Sequence, residues 1–197
     1  MKFIGVTGGV GAGKSEVLSY LDERADSFVL YSDRLAEKES KPGGRCYSEI
    51  VKAFPDQKLY NADGMMNRAA FAKEVFSDEK KRLALDGIIH PMMREIIMED
   101  VKEKRTEGKY KYYFLEAALL IEEHYYEVLD ALWYIFAPID VRRERLKKSR
   151  HYSDEKIDAI LSKQLDDREF RRYADVVIDN GGDFSSTKEY IETLLKN

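Results

Sequence analysis

Eight residues close to the start of the chain, Gly8-Gly9-Val10-Gly11-Ala12-Gly13-Lys14-Ser15, restrict what it can fold into more than any other segment. Ahead of them, Lys2–Thr7 carries Phe3, Ile4 and Val6 in an apolar run too short for a helix, which reads as a buried strand. Behind them, Lys14–Leu21 places Val17, Leu18 and Leu21 at helical spacing. The eight residues fit G-x-x-x-x-G-K-[ST] in full. A strand, a glycine loop and a helix in that order make a phosphate cradle. The glycines let backbone N–H groups approach phosphate oxygens, and the helix turns its positive end toward them. The motif assigns Gly9, Gly11, Ala12, Gly13, Lys14 and Ser15 to nucleotide phosphates, with Glu16 next in line. Lys14 would neutralise β- and γ-phosphate charge, and Ser15 would ligate Mg²⁺ through its hydroxyl. ATP and Mg²⁺ are the expected nucleotide and metal.

Four more short apolar runs follow: Phe28–Tyr31, Tyr112–Glu116, Ala131–Phe136 and Val176–Ile178. Strands alternating with helical stretches imply α/β architecture, a P-loop type three-layer α/β/α fold around a five-stranded parallel sheet. Between about Ala36 and Gly87 the chain reads as mostly helical and polar. Ser77-Asp78-Glu79 starts a helix expected to end near His90, with Pro91 opening the next. Asp140–Arg150 and Ser153–Leu165 read as two helices joined by a short basic turn. Ser186 and Glu189 have capping-box spacing, ahead of Ile191, Leu194 and Leu195 on one face of a last helix.

The 197 residues suit a single domain. Thirteen Tyr and nine Phe argue against disorder, and a net charge of -4 gives no support to nucleic-acid binding. Locally the balance differs, because Arg142, Arg143, Arg145, Lys147, Lys148 and Arg150 fall within nine positions. They fit a solvated helix face and a phosphate-facing surface alike. One cysteine, Cys46, excludes an intrachain disulfide and suggests a reducing compartment. No signal-peptide core is visible, and no run approaches the roughly 20 apolar residues of a membrane helix. A cytoplasmic protein with no membrane partner is expected, as a monomer or weak homo-oligomer.

The glycine loop does not choose among kinases, GTPases, ATPases and regulators. A chain of about 200 residues with the loop at residue 8 fits small-metabolite kinases better than motor ATPases, and the N-K-x-D base-reading signature of GTPases is absent. Asp33 lies just past the second strand, where α/β sheets place their ligands. It fits the base that accepts the proton of an attacking hydroxyl, and it fits a helix N-cap.

Several segments together resemble the dephospho-coenzyme A kinase family. Thr7–Ser15 is similar to that family's T-G-G-I-G-S-G-K-S, and Tyr31-Ser32-Asp33 sits where D-A-D is usual. Asp63-Gly64-Met65-Met66-Asn67-Arg68 resembles D-G-x-L-x-R, and Ile89-His90-Pro91 with Arg94 resembles its H-P segment. Glu116-Ala117-Ala118-Leu119-Leu120-Ile121-Glu122 resembles D-I-P-L-L-x-E, Gln164 fits a glutamine after the basic segment, and Ala174–Gly181 is similar to A-D-x-V-I-x-N-x-G. The likeness spans nearly the whole chain in order. It implies a P-loop core, a helical acceptor-binding insertion at about 37–90 and a lid at about 147–171. The implied reaction moves the γ-phosphoryl of ATP to the 3′-hydroxyl of the ribose of dephospho-CoA, giving coenzyme A and ADP. Asp33 would be the base. Lys14 and the lid arginines Arg145 and Arg150 would carry phosphate charge, with Arg142 and Arg143 also open for that role. Asn180 would join the nucleotide site. Arg68, His90, Pro91 and Leu119 would join the acceptor side, and Glu116 the metal beside Ser15. Arg68 also fits a surface salt bridge, and His90 an ordinary helix-end histidine. Departures are Tyr31 for the first Asp, Glu16 for Thr, Ala118 for Pro and Glu116 for Asp. Kinases of other small acceptors such as a nucleoside monophosphate, and a non-catalytic nucleotide-binding regulator, share the loop.

Overall fold

The computed structural model describes residues 1–196, Phe76 by its backbone alone. The chain divides into two compact units: Met1–Leu30 with the chain from Glu107 onward, and Tyr31–Thr106.

The first unit is built on the sheet. Strands β1 (Lys2–Thr7), β2 (Ser27–Tyr31), β3 (Tyr112–Glu116), β4 (Ala131–Phe136) and β5 (Val176–Asp179) lie in the order β2-β3-β1-β4-β5. Pairing is parallel between β1 and β3, β1 and β4, and β4 and β5. Consecutive residues Tyr113, Phe114 and Leu115 are all fully buried, as are most of β1 and β4. Side chains alternate faces along a strand, so unbroken burial means that both faces are covered. The unit's helices are α1 (Lys14–Asp22), α6 (Ile139–Arg150), α7 (Asp154–Leu161), α8 (Asp167–Tyr173) and α9 (Phe184–Lys196); α8 packs on β4 and α9 on β5, while α7 meets α6. The expected α/β class and five-stranded parallel sheet are both present.

Strand order positions the site. From β1 the chain leaves toward β2, whereas from β4 it leaves toward β5 on the other side. The adjacent strands β1 and β4 therefore flank a switch point, where the loops diverge and a crevice opens at the carboxyl ends. The glycine loop follows β1, and α6 follows β4.

The second unit holds α2 (Ser32–Glu39), α3 (Tyr47–Ala53), α4 (Arg68–Phe76) and most of α5 (Glu79–Glu107). Between α3 and α4 the chain makes a small hairpin. Tyr60 bridges Met66, the Asn61 N–H donates to Met65 O at 2.8 Å, and Asp63 Oδ1 accepts from the Met65 N–H at 2.9 Å. Asn67 then caps α4 by accepting from the Ala70 N–H.

Three local expectations change. The helix from Glu79 does not stop at His90; it runs 29 residues through Pro91. Proline inside a helix costs about 3 kcal/mol, and beyond it Met93, Ile97 and Val101 bury one stripe whose burial outweighs that cost. The last helix begins at Phe184 rather than at Ser186, because Asp183 already binds Ser185 through its side chain and the Ser186 N–H through its carbonyl. The capping box lies instead at Asp166 and Glu169, opening α8 just past the Ser153–Leu165 stretch that read as one helix and of which α7 takes only Asp154–Leu161.

Helix α8 is fastened to the sheet. Phe170 stacks on Tyr134 with ring centroids 4.7 Å apart, and the Tyr134 hydroxyl donates to Asp167 at 3.1 Å. Burial and the neighbouring Asp167 push the Tyr134 phenol up to about 12.

Phe170→Ala should destabilise the protein by about 3 kcal/mol, read as a lower urea midpoint; an unchanged midpoint would show that the stack does not anchor α8. Pro91→Ala restores a backbone donor and removes the ring. A gain of about 1–3 kcal/mol in equilibrium unfolding is expected, and a loss would mean that the ring itself supports packing.

Candidate active site

Within the first unit, the loop Gly8–Gly13 leads into α1, whose first two residues are Lys14 and Ser15. Lys14 folds back along the loop and donates from Nζ to Gly8 O at 3.1 Å. The same Nζ lies 4.0 Å from Glu116 Oε1, at the end of β3 and in register with Val6. Ser15 and Glu16 are exposed on the first turn of α1.

The loop carbonyls are held from outside. Arg142 Nε donates to Val10 O at 2.9 Å. Arg145 donates to Ala12 O at 3.3 Å and to Asn180 O at 2.8 Å. Asn180 is fully buried; its amide donates to Ala12 O at 2.9 Å, and Thr187 donates to its Oδ1 at 3.0 Å. Gly13 has φ +90° and a Cβ there would lie 2.1 Å from the Asn180 amide nitrogen, so both conformation and space demand glycine.

The basic cluster divides by face. Arg142 and Arg145, three apart on α6, turn to the glycine loop. Arg143 pairs with Asp154 and Asp158 of α7, and Lys147 reaches Asp154 at 2.7 Å. That neighbouring ammonium holds the Asp154 carboxyl below the usual carboxylate range. Lys148 pairs along its own helix with Glu144, while Arg150 ends α6 exposed, 5.9 Å from the Tyr152 ring. The cluster thus has a solvated, ion-paired side, as one reading expected, and a side turned to the backbone of the glycine loop. Arg142, left open as a lid arginine, proves to be one of the two arginines on the loop. Burial pulls its guanidinium below the usual arginine range, against opposing pulls from Tyr134 and Asp167. A cavity of about 360 Å³ opens between the end of β4, the start of α6 and the 161–167 segment.

Leu119 is 41% exposed in the turn after β3. A pair of oxygen donors, Ser15 and Glu116, suits Mg²⁺, which binds through one or two protein groups and completes its shell with phosphate and water. Among the described residues no cluster of three or more His, Cys, Asp or Glu could hold a metal unaided. No helix among them is long and apolar enough to cross a membrane.

In the second unit, Asp33 is the second residue of α2 and is exposed. It does not cap that helix: Tyr31 holds the cap position with no side-chain hydrogen bond. The N-cap reading of Asp33 therefore fails. Arg68, the first residue of α4, ion-pairs with Glu37, the surface bridge that sequence reading kept as an alternative. His90 lies 4.0 Å from Asp86 one turn earlier, immediately ahead of Pro91 in mid-helix rather than at a helix end.

A family model described as dephospho-CoA kinase matches residues 2–186. The dephospho-CoA kinase of Carboxydothermus hydrogenoformans is 32% identical over 196 residues, covering 100% of this chain and 94% of that protein. That of Aquifex aeolicus is 34% identical, covering 100% and 97%. Among solved structures, TT1252 from Thermus thermophilus superposes with a TM-score of 0.78 at 28% identity, covering 99% of this chain and 96% of that one. With the family model running from β1 into α9 and relatives matched from end to end, the chain belongs to the dephospho-CoA kinase family.

Proposed function

We propose that the chain transfers the γ-phosphoryl group of ATP to the 3′-hydroxyl of the ribose of dephospho-CoA, releasing coenzyme A and ADP. The observation that supports this most is the held glycine loop with Lys14 beside Glu116, in a chain matched along its length by dephospho-CoA kinases.

Phosphoryl transfer asks little covalent chemistry of a protein; rate comes from positioning and from stabilising charge. ATP lays its phosphates along the loop from Gly9 to Ser15. Lys14, already turned along the loop, follows the β- and γ-phosphates. Arg145 reaches the same loop from α6. Asn180 closes the far wall beneath Gly13. Ser15 and Glu116 would hold Mg²⁺, which would supply positive charge against the phosphates. Asp33 accepts or orients the proton of the acceptor hydroxyl; its carboxylate is exposed and has no partner among the described residues. Arg68, His90, Pro91 and Leu119 serve the acceptor side.

We take the lid to be shorter than the expected 147–171. Residues 147–150 belong to α6, and α8 is stacked on β4. The stretch between them starts at His151, left-handed with φ 53°, and ends at the Asp166 cap. Closing that stretch over the phosphates excludes water, which would otherwise take the phosphoryl group.

ADP release measured with ATP, Mg²⁺ and dephospho-CoA, beside AMP, CMP, shikimate and no acceptor, should require dephospho-CoA; release with another acceptor instead, or with none, overturns the proposal. Asp33→Asn should keep ATP affinity and lose about 10²–10⁴-fold in turnover. Near-normal turnover would remove Asp33 as the base. Lys14→Ala should weaken ATP binding and turnover together, and unchanged binding would count against the assigned role of the loop lysine.

A further inference from the structure

We propose that Arg142 and Gln164 are positioning residues for the glycine loop, clamping the backbone of Val10 from outside so that nucleotide affinity depends on both. The inference rests on the kinase reading only in taking the loop to bind a nucleotide.

Three hydrogen bonds close a ring around Val10. The Val10 N–H donates to Gln164 Oε1 at 3.0 Å. Arg142 Nε donates to Val10 O at 2.9 Å, and Arg142 Nη2 donates to the same Gln164 oxygen at 3.2 Å. One residue of the loop thus has its donor and its acceptor both taken by side chains far away in sequence. The ring needs these residue types. A guanidinium presents several donors in a fixed plane, so one side chain serves two acceptors at once. An amide oxygen with two lone pairs accepts from both the backbone and the arginine.

Space fixes the arrangement further. The Arg142 guanidinium lies against Gly9: a Cβ there would sit 2.2 Å from Nη2 and 2.5 Å from Cζ. A Cβ on Gly11 would meet the Arg142 carbonyl oxygen at 2.9 Å. Helix α6 therefore packs straight onto the loop backbone through one arginine. The facing charged and titratable groups are Tyr134 from β4 and Asp167 from α8. Arg142 is half-buried, and a buried cation holds its donors where acceptors meet them.

The consequence is preorganisation. Loop N–H groups bind phosphate best when they need no rearrangement on binding. A clamp on Val10 restricts the loop before nucleotide arrives. Gln164 lies between α7 and α8, so the same bond ties that segment to the loop.

The test is calorimetric titration of Mg·ADP, which requires no acceptor, with the unfolding midpoint of each variant as control. Arg142→Ala should weaken ADP binding about tenfold, and Arg142→Lys should restore only part of it. Gln164→Ala should also lose affinity, whereas Gln164→Glu, which keeps an acceptor oxygen, should stay within about twofold of wild type. Gly9→Ala reads the same contact from the loop side and leaves α6 unaltered. It should bind ADP as poorly as Arg142→Ala, and the double variant should bind no worse than either, as coupled sites behave. Wild-type affinity in Arg142→Ala and Gln164→Ala, or losses that multiply in the Gly9→Ala/Arg142→Ala double, would overturn the clamp. Wild-type protein that fails to bind ADP would overturn the nucleotide reading itself.

Discussion

A loop that turns its N–H groups toward a phosphate must dispose of its carbonyls in other directions, and the rest of the site follows from how this chain does so. Gly8 O takes the Lys14 ammonium, Val10 O takes Arg142, and Ala12 O takes both Arg145 and the Asn180 amide. Alternate carbonyls along the loop each meet a cationic or amide donor from outside it. A buried carbonyl left without a donor costs about 1–3 kcal/mol, so losing Arg142 strips Val10 O of its side-chain donor, whereas Ala12 O keeps one donor when either Arg145 or Asn180 is lost. Three of those donors come from elements that lie far along the chain, which makes the loop a product of the tertiary fold rather than of its glycines.

The sheet order brings those donors together. With β1 between β3 and β4, the residues that end the two neighbouring strands approach the glycine loop from opposite sides. Glu116 comes from β3 toward Lys14, and α6 comes from β4 with Arg142 and Arg145. Asn180, next after β5, completes the set through its backbone bond to Phe136 O at 2.7 Å. The same geometry explains why Tyr134 and Phe136 line the cavity beside α6, since both project from the end of β4.

Much of this was legible in the sequence. The strand–loop–helix motif, the five apolar runs and the parallel sheet follow from spacing alone, because short buried runs and a glycine motif leave few alternatives. What the sequence could not separate was direction around a helix axis. Arg145 and Arg150 were paired as lid residues although, five apart, they point to different sides of α6; Arg142, three before Arg145, shares its face. That follows from the 3.6-residue repeat once the facing element is known. The unbroken α5 was hidden for a different reason: proline is a local signal, and it lost to the burial of Met93, Ile97 and Val101, which is a tertiary one. Asp33 illustrates a third kind of ambiguity. Its position after a strand was readable, but whether it or Tyr31 held the cap depended on where the first helical residue fell.

Helix α7 meets α6 through Arg143, Lys147, Asp154 and Asp158, and three of these four side chains are roughly half exposed or more. Such pairs are each worth about 0–1 kcal/mol, and dissolved ions weaken them over a Debye length of about 8 Å at physiological strength. The hold of α7 on α6 is therefore set partly by the solvent. That hold tightens in dilute buffer and loosens in concentrated salt, so the attachment of α7 to α6 answers to ionic strength while the apolar stack that holds α8 on β4 does not.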